Sequence, residues 1–231
     1  MQSCGSGEYG DAGALVRNFS LDKINKNVLS ALRKHGVTDD EIKRLLELNT
    51  ISADGIYSDA NLKFARNIVE KCFPIPGKGV KMRKILPLEI VEKYHLSSTA
   101  NVAGSPKTVG GFVAQADHCE VESAGQIFND FRLDYPDTQF SKNKSFAVIE
   151  YENVGNPIRP YNSPDIDGFG LPNTKTGMLG SDEKIIPEFY LGSNPADFPV
   201  LREGAILKIY NKDGKVLEQY QLQKNTTWKI Y

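Results

Sequence analysis

The chain has 231 residues, 40% of them hydrophobic and 25% charged, with a formal net charge of −1. That length suffices for one large or two small domains with a real core. The near-neutral balance gives no general electrostatic argument for nucleic acid or an anionic membrane. Residues 1–100 carry 15 Lys and Arg against 12 Asp and Glu, and residues 101–231 carry 13 against 17. The front is therefore +3 and the back −4, too mild to name a partner. The three cysteines, Cys4, Cys72 and Cys119, have unrelated spacings, which points to free thiols in a reducing compartment and not to a disulfide framework or zinc cluster. No apolar run approaches a membrane span, and no Sec signal is visible.

Residues 1–19 are Gly-rich and aperiodic and are expected to form a flexible leader. Leu21, Ile24, Val28, Leu29 and Leu32 then recur at helical spacing behind Ser20 as N-cap, ending at His35-Gly36. Thr38-Asp-Asp-Glu41 is a capping box opening a second helix that turns Ile42, Leu45, Leu46 and Leu48 inward. A third begins near Ser58 and stops at Pro74, and Pro87 opens a short fourth. These four predict a helical lobe over 20–96, in which Lys78-Gly-Val-Lys-Met-Arg-Lys84 reads as a solvated basic connection.

Polar residues 97–107 read as a linker, and short strands follow. They are predicted at 108–116, 145–151, 185–191, 204–210, 215–223 and 226–231, with one helix at about 121–131. Asp213-Gly214 between two apolar runs predicts a hairpin. The stretch 153–184, rich in Gly, Pro, Asn and Asp, is long enough for a functional loop. The expected class is α+β: an N-terminal helical lobe over 20–96, then a mostly antiparallel β-rich lobe over 97–231.

The strong catalytic motifs are missing: no P-loop, GxGxxG unit, HExxH, GxSxG, EF-hand loop or CxxC pair occurs. His118-Cys119-Glu120 matches half of the zinc deaminase signature, but no cysteine follows Cys119 to complete it. His118 and Cys119 are adjacent, so on a strand they point to opposite faces and cannot easily pair as nucleophile and base. Cys119 could still use His35 or His95 across the fold, or serve as a small buried hydrophobe. No metal site is expected.

The polar residues that remain gather at strand ends: His118 and Glu120, Glu150 and Tyr151, Arg159, Asn173 to Gly177, Ser181 to Glu183, and Glu188. An α-lobe leads into a β-lobe whose first strand ends in His118, followed by a helix, further strands and a late Glu188. This layout resembles the NAD-dependent ADP-ribosyltransferase and NAD-glycohydrolase toxin domains of bacterial polymorphic toxins and phage effectors, over residues 108–210. The chain lacks that family's first-strand Arg, Ser-Thr-Ser triplet and Glu-x-Glu pair. The resemblance implies NAD as substrate without a metal. His118 would hold the nicotinamide–ribose side and Glu188 would stabilise the oxocarbenium-like ribose. Arg159 would pair with the pyrophosphate, and Tyr151, Thr176 and Ser181 would line the NAD side. It further implies a toxin or effector delivered into a reducing cytoplasm, a host or competitor protein as target, an immunity protein as inhibitor, and no membrane.

Two other readings stand beside it. A metal-independent ribonuclease toxin would use His118 as acid or base, with Arg159 or a Lys stabilising the phosphorane. Its acidic β-lobe makes nucleic acid an awkward partner, because phosphate recognition needs a local basic cleft that the sequence does not display. A non-catalytic binding module would instead use the hairpin and Trp228-Lys-Ile-Tyr231 as an interaction edge.

Overall fold

The protein is described by a computed structural model covering residues 19–51, 56–97, 107–135, 138–164, 175–224 and 227–231. Nearly all of the expected leader, most of the expected linker and the middle of the 153–184 stretch lie outside the described residues.

The N-terminal helices follow their capping chemistry. Helix α1 (Lys26–Lys34) is capped by Asn25, whose side chain accepts from the Asn27 and Val28 amides; Ser20 opens only a 3-10 turn at Leu21–Lys23. The cap therefore lies five residues beyond the one suggested by the apolar spacing. Gly36, at φ +75°, ends the helix in a conformation that favours glycine. Thr38 and Glu41 exchange both bonds of a capping box at the start of α2 (Asp39–Asn49). Ser58 caps α3 (Asp59–Cys72), and Phe73-Pro74 follows. Leu32, Ile42, Leu45, Leu46, Val69 and Phe73 form a common core with Met178 and Ile185 from the β region.

All neighbouring strands pair antiparallel in one eight-stranded sheet, in the order β4-β5-β2-β1-β3-β6-β7-β8. The strands are β1 (Lys81–Pro87), β2 (Phe112–Gln115), β3 (Phe146–Glu152), β4 (Met178–Leu179), β5 (Ile186–Tyr190), β6 (Ile206–Tyr210), β7 (Val216–Leu222) and β8 (Trp228–Ile230). Between β1 and β2 lie the short α4 (Leu88–Val91) and a π turn at Glu92–Leu96. The molecule is α+β, as expected, and the Asp213-Gly214 turn joins β6 to β7.

Strand β1 departs from the expectation of a basic connection. It holds the centre of the sheet, with seven residue pairs to β3 and two to β2. The stretch 20–96 is therefore not purely helical, because it donates this strand. Alternation was hidden because Lys81, Arg83 and Lys84 occupy both faces, where long aliphatic stems can lie on apolar surface while their charges find partners.

Successive residues of a strand face opposite sides. One face carries Met82, Val113, Ala147, Ile149, Phe189, Leu207 and Ile209 in a single apolar cluster closed by Val91, Val109 and Leu201. On the other face, α5 (Ala124–Asp130) packs Ala124 and Ile127 over Phe146, Val148 and Tyr210, with the Phe146 and Tyr210 rings stacked at 5.2 Å. Helix α5 covers only the end of that face holding these three residues.

Ile149 is fully buried on β3. Ile149→Ala should lower the unfolding free energy by about 2–5 kcal/mol, the range for opening a cavity of this size. In urea the midpoint should fall with the slope unchanged.

Candidate functional site

The register places one row of residues across seven strands. It runs Glu188 (β5), Ala114 (β2), Arg83 (β1), Glu150 (β3), Ile206 (β6), Gln221 (β7) and Lys229 (β8). Directly opposed residues share a face, so all seven belong to the face that α5 leaves partly open. The neighbouring row adds Lys208 opposite Gln219, and the pair Lys81–Glu152 lies on the other side.

The centre of the row is an ion-pair cluster. Arg83 Nη2 donates to Glu150 Oε1 at 3.1 Å, and Lys208 Nζ approaches the same oxygen at 3.8 Å. Arg83 Nη1 donates to the Cys119 carbonyl oxygen, while its Nε is buried without a partner. The three side chains keep 16–27% of their surface exposed. Flanking Lys81, Glu152 and Lys229 are exposed and Gln219 and Gln221 half-buried. The open part of the face therefore carries four cations, Lys81, Arg83, Lys208 and Lys229, against two carboxylates, Glu150 and Glu152. It is locally basic although its lobe is acidic overall.

At the covered end of the row, Glu188 is only 3% exposed and its Oε2 has no hydrogen-bond partner. Burial raises its pKa to about 8, and the field of Lys84 pulls the other way. Lys84, on the opposite face of β1, is lowered by burial to about 8, with Glu188 opposing; its ammonium donates to the Phe112 carbonyl oxygen at 3.0 Å. Burial thus favours the protonated form of Glu188.

The other residues singled out from the sequence are placed as follows. Arg159 is 3% exposed, donates through Nη2 to the Val69 carbonyl oxygen at 3.2 Å, and lies 4.6 Å from the centroid of the Phe189 ring. Its Nη1 is buried without a partner, and burial lowers its pKa. His118 lies edge-on to Phe73 at 5.6 Å, its Nδ1 buried without a partner; burial lowers its pKa, with Asp117 opposing. The Tyr151 hydroxyl is buried in the apolar face without a partner. The Thr176 hydroxyl accepts from the Met178 amide and donates to the Met178 carbonyl. Ser181 lines a cleft of about 350 Å³ with Arg132, Asp134, Lys142 and Asp182, and its hydroxyl accepts from the Glu183 amide.

Three of these residues come together around β4 and β5. Thr176 precedes β4, the Glu188 amide donates to the Gly177 carbonyl oxygen, and Arg159 stacks on Phe189. Helix α3 backs this group through Val69, and His118 meets the C-cap Phe73 one turn further along, at the same end of that helix. Tyr151 shares the apolar cluster of Phe189, and Ser181 lines the cleft beyond β4. Direct contact of His118, Arg159 or Glu188 with NAD requires exposure that this arrangement does not give them.

Cys119 is a buried thiol donating to the Gln115 carbonyl oxygen, with its pKa pushed up to about 11 by burial against the pull of Arg83. It is therefore held in the unreactive form. Among the described residues, no group of three His, Cys, Asp or Glu side chains could hold a metal ion, and no helix is long and apolar enough to cross a membrane. Arg83, Lys208 and Lys229 were missed from the sequence. The one available signal was the alternation of residues 81, 83 and 85, which the dense charge of that stretch disguised.

No family model, curated protein or solved structure matches this chain.

The buried carboxyl gives a pH test. The folded value near 8 lies above the ordinary 4.5. The folded chain therefore retains a proton that the unfolded chain releases. The associated stability is fully present below about pH 4.5 and is lost as pH rises through about 8. Between those limits, wild-type unfolding free energy should fall with pH more steeply than that of Glu188→Gln. Parallel curves for the two proteins would place the titration elsewhere.

Proposed function

We propose that the open half of this sheet face binds the phosphodiester backbone of RNA and cleaves it without a metal. The observation that carries this reading is the cluster itself: a carboxylate, Glu150, held between Arg83 and Lys208 on a rigid sheet in a locally basic surface. RNA brings its own nucleophile, so the protein needs only a proton acceptor, a proton donor and positive charge at the phosphate. Glu150 takes the proton of the ribose 2′-hydroxyl as that oxygen bonds to phosphorus. The bond from phosphorus to the 5′-oxygen breaks, and the Lys208 ammonium protonates the leaving oxygen. Arg83, whose guanidinium charge lies beside Glu150, stabilises the phosphorane charge. The products are a 2′,3′-cyclic phosphate and a free 5′-hydroxyl.

Single-stranded RNA incubated with the protein and a chelator should yield cyclic-phosphate ends, while DNA of the same sequence stays intact for want of a 2′-hydroxyl. Glu150→Gln should slow cleavage by at least about 100-fold, the scale of a lost general base. Lys208→Gln, at a more weakly held position, should slow it too. RNA left intact by the wild-type protein overturns this reading.

NAD consumption is the second reading, supported by the gathering of Arg159, Thr176 and Glu188 around β4 and β5. It would require that region to open and Glu188 to ionise there. Free nicotinamide released from NAD by the wild-type protein, and lost in Glu188→Gln, is the expected result. No release, with cell lysate supplied as the protein acceptor, removes it. Either chemistry suits a delivered effector working in a reducing cytoplasm, where buried thiols such as Cys72 and Cys119 persist.

A further inference from the structure

The RNA reading leaves one end of the basic surface without a role. Strand β8 forms the sheet's edge beyond β7. Its Lys229 stands opposite Gln221 and closes the row that passes through Arg83. Tyr231 follows two residues later, and its amide donates to the Gln219 carbonyl oxygen at 2.9 Å, which continues the ladder. By the alternation of strand faces, Tyr231 shares the face of Lys229 and Lys208. It is 76% exposed, and Lys229 is exposed too.

We infer that Lys229 and Tyr231 form a subsite for single-stranded RNA at the edge of the sheet, Lys229 taking a phosphate and Tyr231 stacking on an unpaired base. This rests on the RNA reading and specifies its substrate as an unpaired strand. Four strand spacings separate Arg83 from Lys229, about 19 Å at the usual interstrand distance. Along that line stand Ile206, Gln221 and, one row over, Lys208 and Gln219. A line of cations ending in an exposed ring suits a strand whose bases are free to stack on a side chain. A duplex keeps its bases stacked on one another and offers the ring no face. The charge balance agrees, since four cations face two carboxylates on this surface while the β-lobe as a whole is acidic.

The test uses a fluorescent oligothymidine of about ten nucleotides, within the usual range of single-strand site sizes. It lacks the 2′-hydroxyl and so binds without being cut. Tyr231→Ala should weaken binding about tenfold, the scale of one lost stacking contact, and Tyr231→Phe should restore it. Lys229→Gln should reduce the slope of log affinity against log salt by about 0.7, one phosphate contact to a single strand. A duplex of equal length should bind more weakly than the single strand. Wild-type affinity in Tyr231→Ala, or equal affinity for duplex and single strand, overturns the subsite. The two readings fail separately. Binding that depends on Tyr231 and Lys229 with no RNA cleaved supports the subsite and removes the chemistry. RNA cut with unchanged kcat and KM by Tyr231→Ala and Lys229→Gln removes the subsite and leaves the chemistry.

Discussion

The pairing of β1 with β3 is the constraint on which the rest depends. Seven successive residue pairs, from Lys81–Glu152 to Pro87–Phe146, lock the two strands in register. A slip of one residue would turn every side chain of β1 to the opposite face. Arg83 would leave Glu150, and Met82 would leave the apolar cluster it shares with Ile149 and Leu207. The same pairing therefore specifies both the core on one face and the charge cluster on the other. Strand β1 is also central to the sheet, since β1 and β3 stand between β2 and β5 on one side and β6 to β8 on the other.

The two faces carry different kinds of cost. The apolar face buries the Tyr151 hydroxyl without a partner, and the charged row buries the Glu188 carboxyl oxygen likewise. An unpartnered buried polar group costs about 1–3 kcal/mol, so their presence against an otherwise apolar sheet runs counter to packing. Arg159 is better served: although one nitrogen is orphaned, it donates to Val69 and lies over the Phe189 ring. It ties β5 to α3 and so fastens the helical core to the sheet. Arg132 makes a comparable tie, donating to the carbonyls of Asn49 and Ile51 at the end of α2 from a backbone with φ +49°. Guanidinium groups at helix C-termini are favoured there by the exposed carbonyls and the helix dipole.

The surroundings of Glu150 and of Glu188 differ sharply for a carboxyl. Glu188 is buried with its Oε2 unpartnered, and burial favours its protonated form. Glu150 sits where two cations approach a single oxygen and solvent still reaches the group. A row of directly opposed residues thus grades from a sealed end at β5 to an open, charged end at β8. The gradient arises because the face is filled by buried residues such as Leu179 and Ile186 at one end, while α5 stops short of the other.

The sequence by itself determined the local elements. The Thr38–Glu41 box, the Ser58 cap, the Asp213-Gly214 turn and the apolar run within 145–151 each rest on chemistry within a few residues, and each formed close to where it was expected. The α+β class followed from their order. The role of β1 was not legible, because its charges obscured the period-2 pattern and their partners, Glu150 and the Phe112 and Cys119 carbonyls, are remote in sequence. The burial of His118, Arg159 and Glu188 was equally hidden, because exposure depends on which helix packs over which strand. Only the tertiary structure decided the charge of the open sheet face. Lys81, Arg83, Lys208 and Lys229 come from strands far apart in the chain, and interstrand register alone brings them onto one face.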